Sequence, residues 1–178
     1  RRAAQKCQGL VVSPVRPRLL VVGGNGFIGR HNIKHALVMG WSISSLSRSF
    51  PVVGDRIEGV VYLKADIANS DELKKALPDP CFEYVVNCGG YINHALFVNG
   101  GRKVFDAHFS GALHLIQLLN RDALVSYVNI GSSDEYGSNE APQIETQRDA
   151  PISPYSFGKV AATHLLEMLH RTEAFPST

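Results

Sequence analysis

Four glycines in seven residues, Gly23-Gly24-Asn25-Gly26-Phe27-Ile28-Gly29, separate the apolar run Leu19-Leu20-Val21-Val22 from a stretch with helical spacing. The run is short, continuous and stopped by glycine, the pattern of a strand buried on both faces. Beyond the loop, apolar residues recur at Ile28, Ile33, Ala36, Leu37 and Met39 before Gly40, which is placed to end a helix. The loop satisfies G-x-G-x-x-G from Gly24 and G-x-x-G-x-x-G from Gly23. Glycine is needed there to turn tightly, to let a pyrophosphate approach the backbone and to pack the helix closely on the strand, with helix N–H groups facing the phosphates. Gly23, Gly26, Phe27, Ile28 and Gly29 are therefore candidate dinucleotide-binding residues.

The same alternation continues along the chain. Strands are predicted at 42–46, 60–63, 84–86 and 124–130, and helices at 71–75, 103–119 and 154–171, with a loop over 131–153. Acids Asp71 and Glu72 begin the short helix and Lys74 and Lys75 end it. Pro154 suits the first turn of the last helix. Strands alternating with helices predict an α/β, Rossmann-like, doubly wound parallel sheet over 18–178. Residues 1–17, with Pro14, Pro17 and no periodicity, read as a basic arm or leader without a catalytic role.

Composition narrows the function classes. No apolar run approaches the roughly 20 residues of a membrane-spanning helix, and no secretory signal is recognisable, so a cytoplasmic protein is expected. Cys7, Cys81 and Cys88 form an odd set without C-x-x-C, which suggests neither a disulfide framework nor a zinc site and points to a reducing compartment. The formal charge of +2 conceals an asymmetry, +8 before Asp55 and −6 from there on. No aromatic residues interleave with the basic arm, so nucleic-acid binding is not expected. His31 and His35 have i,i+4 spacing but no accompanying acid in that segment, so no metal site is predicted.

An NAD-binding unit of this kind has an acid about 20 residues beyond the glycine loop for the ribose 2′-hydroxyl. Here the second predicted strand ends Leu46-Ser47-Arg48-Ser49. An arginine beside hydroxyl groups suits a 2′-phosphate, so NADP(H) is favoured over NAD(H), with Arg48 as the contact.

Tyr155 and Lys159 lie i,i+4, on one face of the last helix. A tyrosine of reference pKa about 10 needs about 4 kcal/mol in favour of phenolate to work near pH 7, and a lysine charge about 6 Å away supplies about 2.8 kcal/mol at an effective dielectric near 20. Gly131-Ser132-Ser133-Asp134-Glu135-Tyr136-Gly137 starts where the fifth strand ends, at the crevice where ligands of open α/β sheets collect. A serine there, Ser132 or Ser133, is placed to hold the substrate oxygen that exchanges its proton with Tyr155.

These motifs, with Asp66-Ile67 and Asn87-Cys88-Gly89-Gly90 in order between them, resemble the extended short-chain dehydrogenase/reductases, nearest to the NAD(P)-dependent sugar-nucleotide epimerase/dehydratase family. The resemblance spans 18 to about 175. It implies that Tyr155 is the acid/base, that Lys159 binds the nicotinamide ribose and tunes Tyr155, and that Asp66 and Ile67 contact the adenine. Counting back from Tyr136 assigns Ser132 the substrate-positioning role, with Ser133 second. Cys88, Gly89 and Gly90 stand where the family carries its Ala-Gly element at the cofactor. Asp134 matches one of the acids by which dehydratase members eliminate water, while Glu135 is one place late for the pair. His108 stands where the family commonly has asparagine.

The resemblance implies hydride transfer at a sugar carbon, C4 in the first instance, of a nucleotide sugar. Nucleotide-sugar 4,6-dehydration is the alternative, and a non-catalytic NADP(H)-binding sensor or structural module is the second. It further implies a homodimer through the helices near 103–119 and 154–171, and a family substrate lobe and sixth strand lying beyond this chain. Cys88 is expected as a small buried group, and His94, His114, His164 and His170 as surface or core-edge residues.

Overall fold

The structure is a computed structural model and describes residues 16–178. The basic arm therefore falls almost wholly outside the described residues, as does Cys7. Five strands, β1 (Arg18–Val22), β2 (Ser42–Ser47), β3 (Val60–Lys64), β4 (Tyr84–Asn87) and β5 (Ser126–Asn129), form one sheet in the order β3-β2-β1-β4-β5. Every neighbouring pair is parallel. The helices are α1 (Phe27–Val38), α2 (Ser70–Ala76), α3 (Gly101–Leu118) and α4 (Pro154–Glu173). The strand order reverses between β1 and β4, which opens a crevice at their carboxyl ends.

The apolar run that opens the fold is continuous because β1 is covered on both faces. Leu19 and Val21 pack with Ile33 and Ala36 of α1. Leu20 and Val22 face the other way, into a core shared with Leu115 and Ile116 of α3 and Leu166 and Leu169 of α4. Helix starts follow local chemistry. The Asn69 side chain accepts from the backbone N–H groups of Asp71 and Glu72 at the head of α2. Ser153 caps α4 with Ser156 returning the bond, and Pro154 fills the first turn. No helix among the described residues is long and apolar enough to cross a membrane.

Three expectations need correction. The fifth strand is shorter than 124–130, because Leu124 and Val125 bond outside the ladder, to the carbonyls of Arg121 and Glu83. Residues 176–178 already run parallel beside β5, with Tyr127 N–H donating to the Pro176 carbonyl at 2.8 Å and Thr178 N–H to the Tyr127 carbonyl at 2.9 Å, so sixth-strand pairing begins within the chain. The cause is the left-handed turn at Ala174, which buries Phe175 against the Tyr127 ring at 5.6 Å. Finally, Cys88, expected as a small buried group, is a half-buried free thiol.

Candidate active site

A cleft of about 260 Å³ opens at the carboxyl ends of β1 to β4. Gly23, Asn25 and Gly26 line it from the loop after β1, Ser47, Arg48 and Ser49 from the end of β2, Asp66 and Ile67 from beyond β3, and Cys88, Gly89, Gly90 and Tyr91 from beyond β4. Eight predicted cofactor residues, Gly23, Gly26, Arg48, Asp66, Ile67, Cys88, Gly89 and Gly90, are brought together here. Phe27, Ile28 and Gly29 are not among the lining residues. The Phe27 and Ile28 side chains start α1 and turn outward, Phe27 being 80% exposed. Gly29 acts in packing, since a Cβ there would lie 2.4 Å from the Gly23 carbonyl oxygen.

The residues fit a dinucleotide. Gly23 adopts φ +75°, and any Cβ on it would meet the Cys88 carbonyl oxygen at 2.7 Å, so the first turn hugs the neighbouring strand end. Gly26 precedes α1 without a side-chain cap, which leaves the N–H groups of the first turn open to phosphate oxygens. The Asn25 backbone N–H donates to Ser47 Oγ at 3.4 Å and its side chain to the Ser49 carbonyl at 2.7 Å, tying the glycine loop to the end of β2. Arg48 is exposed and lies over the Tyr91 ring, Cζ 5.0 Å from the centroid, so it reaches from the β2 side of the cleft to the β4 side. Asp66 Oδ1 accepts from the Ala68 N–H at 2.9 Å, and the Ile67 carbonyl accepts from His114 Nδ1 at 2.9 Å, which fixes the turn after β3. Asn87 Oδ1 accepts from the Gly89 N–H at 3.0 Å while its Nδ2 donates to Asn129 Oδ1 at 2.8 Å, bracing the ends of β4 and β5 together.

Tyr155 and Lys159 come from the first turns of α4 and are buried, 6% and 7% exposed. Lys159 Nζ donates to the Ile130 carbonyl at the end of β5. Burial pulls its pKa below the ordinary lysine value, while Glu135 and Cys88 act in the opposite direction. Burial pushes the Cys88 thiol up to about 11 against the opposing charge of Lys159, so it is an unionised thiol at neutral pH. Cys88 of the cleft and Lys159 of α4 are thus near enough to influence each other's charge. Tyr155 is flanked by two imidazoles edge-on, His108 at 4.9 Å and His94 at 5.7 Å between centroids.

Ser132 caps a single 3-10 turn, Ser133–Tyr136. Its Oγ accepts from the Asp134 N–H at 3.2 Å, and its own N–H donates to Glu135 Oε1 at 2.7 Å. The two acids diverge. Asp134 is 42% exposed in its side chain and faces His94 Nε2 at 3.8 Å, whereas Glu135 is buried and accepts from Thr163 Oγ1 of α4 at 2.8 Å. Asp134 is thus half-exposed beside His94, and Glu135 is committed to the interior. Glu135 was legible as the fourth residue of an S-x-x-E capping box. His94 is exposed, as expected, and meets Asp134, Ser153 and Tyr155, contacts that no spacing signal marks.

The model of the NAD dependent epimerase/dehydratase family matches residues 19–178. The chain belongs to that family. It is 24% identical over 169 residues to a bifunctional UDP-glucose 4-epimerase and UDP-xylose 4-epimerase of Pisum sativum, a match covering 88% of this chain and 48% of that protein. It also matches the UDP-glucose 4-epimerase of Thermotoga maritima, solved with UDP-glucose, at a TM-score of 0.79 and 22% identity, covering 90% of this chain and 53% of that one. The dTDP-glucose 4,6-dehydratase of Bacillus anthracis, solved with NAD, matches at 0.72 and 21% identity, covering 90% and 53%. The chain spans about half the length of the curated relatives it matches. Family membership agrees with the sequence resemblance, and the structural likeness agrees with the Rossmann-like fold.

Proposed function

We propose that the site supports reversible hydride transfer at a sugar carbon, C4 in the first instance, of a nucleotide-linked hexose, within an NAD(P)-dependent epimerase or reductase. The observation that carries this reading is that Tyr155 and Lys159 are both buried, one helical turn apart on α4, with Lys159 Nζ donating to the Ile130 carbonyl just beyond β5. A bound nicotinamide dinucleotide would supply the hydride acceptor and donor. Tyr155 takes the proton of the reacting hydroxyl and returns it. The Lys159 ammonium favours the phenolate, and the Ser132 hydroxyl holds the substrate oxygen in line. Ser132 Oγ accepts from Asp134, so its own proton is free to be donated to that oxygen.

Finer points rest on single features. Arg48, with no acid at the end of β2, favours NADP(H), although NAD(H) is also compatible with the cleft and the family is described as NAD dependent. Gly23, Gly26 and the first turn of α1 hold the pyrophosphate, with Asp66 and Ile67 at the adenine. The Phe105, Phe109 and Phe157 rings cluster on α3 and α4, with Phe157 54% exposed, which favours a homodimer through those helices. Dehydration is the second reading and is favoured by the half-exposed Asp134 beside His94, whose ring meets that of Tyr155. The test is to mix the protein with UDP-glucose or dTDP-glucose and either dinucleotide, follow the absorbance of reduced nicotinamide, and identify the sugar products. Reduction lost in Tyr155→Phe is the expected result; near-normal rates in that variant would sink the mechanism.

A further inference from the structure

We infer that Glu135 is a positioning residue for proton transfer: a buried carboxylate that locks the Ser132 turn onto the face of α4 that carries Lys159. The inference rests on the reading of Tyr155 and Lys159 as the proton-transfer pair. Glu135 is 7% exposed, and both of its oxygens accept hydrogen bonds, Oε1 from the Ser132 N–H at 2.7 Å and Oε2 from the Thr163 hydroxyl at 2.8 Å. An acceptor role on both oxygens suits the ionised form. Its backbone carbonyl also accepts from the Ala150 N–H at 3.0 Å, so the residue is held at both ends. Gly131 gives it room, since a Cβ there would stand 3.0 Å from Oε1.

A buried carboxylate is costly unless a cation compensates it. Thr163 lies four residues beyond Lys159, so the side chain that bonds Glu135 projects from the same face of α4 as the ammonium. The groups coupled to Lys159 come from three elements, Glu135 from the 3-10 turn, Cys88 from beyond β4 and His108 from α3, with the Ile130 carbonyl as hydrogen-bond acceptor and Tyr155 one turn earlier on its own helix. Burial keeps Cys88 a thiol and His108 neutral at neutral pH. Among these groups, Glu135 is the anion that offsets the desolvation of Lys159. One carboxylate thereby couples the substrate-side serine to the charge that tunes the tyrosine.

The test uses Glu135→Gln, which keeps an oxygen for the Ser132 N–H and an amide for Thr163 but removes the charge, beside Thr163→Val, which removes only the hydroxyl bond. The Lys159 side-chain nitrogen is titrated by carbon–nitrogen correlation NMR, its resonance identified by its absence in Lys159→Met. Glu135→Gln is expected to lower the Lys159 midpoint by about one to two pH units, the size of one charge pair at this range. Thr163→Val is expected to leave that midpoint in place. The alkaline limb of nicotinamide reduction with UDP-glucose or dTDP-glucose should move to lower pH by the same interval in Glu135→Gln, because the ammonium is lost earlier as pH rises. An unmoved NMR midpoint overturns the role of Glu135 alone. A moved midpoint with an unmoved rate limb overturns the proton-transfer reading of Lys159 and this inference with it.

Discussion

The His108 imidazole stands edge-on to the Tyr155 ring, with centroids 4.9 Å apart and planes at 83°. Its Nε2 lies 3.0 Å from the Tyr91 carbonyl, so that nitrogen carries the hydrogen and donates. Burial is the largest cause lowering its pKa from the ordinary 6.5 to about 4, with Lys159 adding to the effect and the Tyr91 bond opposing it. The folded state therefore holds His108 neutral while the unfolded chain protonates. Its contribution is fully present above about pH 6.5 and is lost as pH falls toward 4, amounting to about 3 kcal/mol. Urea unfolding at neutral pH and near pH 4 should show this loss in the wild type and a smaller one in His108→Asn. Equal losses in the two proteins would contradict the assignment.

The same ring explains Gly90. That residue has φ +114°, and a Cβ on it would stand 2.1 Å from His108 Cε1. Gly90→Ala should therefore destabilise the fold by about 1–3 kcal/mol or more, by backbone strain and by displacing a buried imidazole. Gly26→Ala is the contrast, because its φ is −77° and its Cβ would meet only the Gly23 carbonyl oxygen, at 3.3 Å. It should melt near the wild type but bind dinucleotide more weakly, its methyl group sitting at the lining of the cleft. Paired thermal melts and fluorescence titrations with NADH and NADPH separate the two effects.

How much of this was legible in the sequence depended on whether the signal was local. The glycine loop, the Tyr-Lys spacing and the Asp66-Ile67 and Cys88-Gly89-Gly90 elements each sit at a strand end or helix start, so chain order alone places them around one crevice. A motif position does not say which way a side chain points, and those of Phe27 and Ile28 are exposed, so a cofactor contact from them falls to the backbone N–H groups of the first turn. The divergence of Asp134 and Glu135 depends on a 3-10 turn that aims adjacent residues in opposite directions. His94 meets Tyr155 from 61 residues away, across a loop whose path no periodicity encodes. The pairing of 176–178 with β5 likewise depends on a left-handed residue, Ala174, that is not a glycine.

Arg48 rests on Tyr91 by a cation–π contact, and both line the cleft. Such a contact is worth about 0.5–1 kcal/mol at an exposed site, less than a charge-assisted bond to phosphate. A 2′-phosphate would therefore draw the guanidinium from the ring. Arg48→Asp should shift the ratio of NADPH to NADH affinity toward NADH by about tenfold or more, measured by fluorescence titration of both dinucleotides. A ratio unchanged by the substitution would remove Arg48 from cofactor selection.

Tyr155 is placed by ring contacts, and its phenol oxygen makes no hydrogen bond among the described residues. Tyr155→Phe should consequently keep the melting temperature within a few degrees while lowering turnover by about 10²–10⁴-fold. Lys159→Met should lose turnover to a similar degree, with less cost in folding than an unpaired charge, because its stem lies in the same buried surroundings. Circular dichroism melts alongside nicotinamide reduction rates check both variants. A large fall in melting temperature for Tyr155→Phe would mean that the phenol oxygen has a structural duty that its surroundings do not show.

Ser132 has two functions that substitution can separate. Its Oγ accepts from the Asp134 N–H, an N-cap contact whose loss costs about 1 kcal/mol, while its hydroxyl proton remains available to a substrate oxygen. Ser132→Ala removes both, Ser132→Thr restores both, and Ser132→Asp keeps a capping acceptor but has no hydroxyl donor when ionised. Stability should thus follow the order threonine near wild type, aspartate close behind and alanine lowest, whereas turnover should recover only with threonine. Urea unfolding and turnover on the same preparations give the two orders. Full turnover in Ser132→Ala would transfer the substrate-positioning role to the neighbouring Ser133.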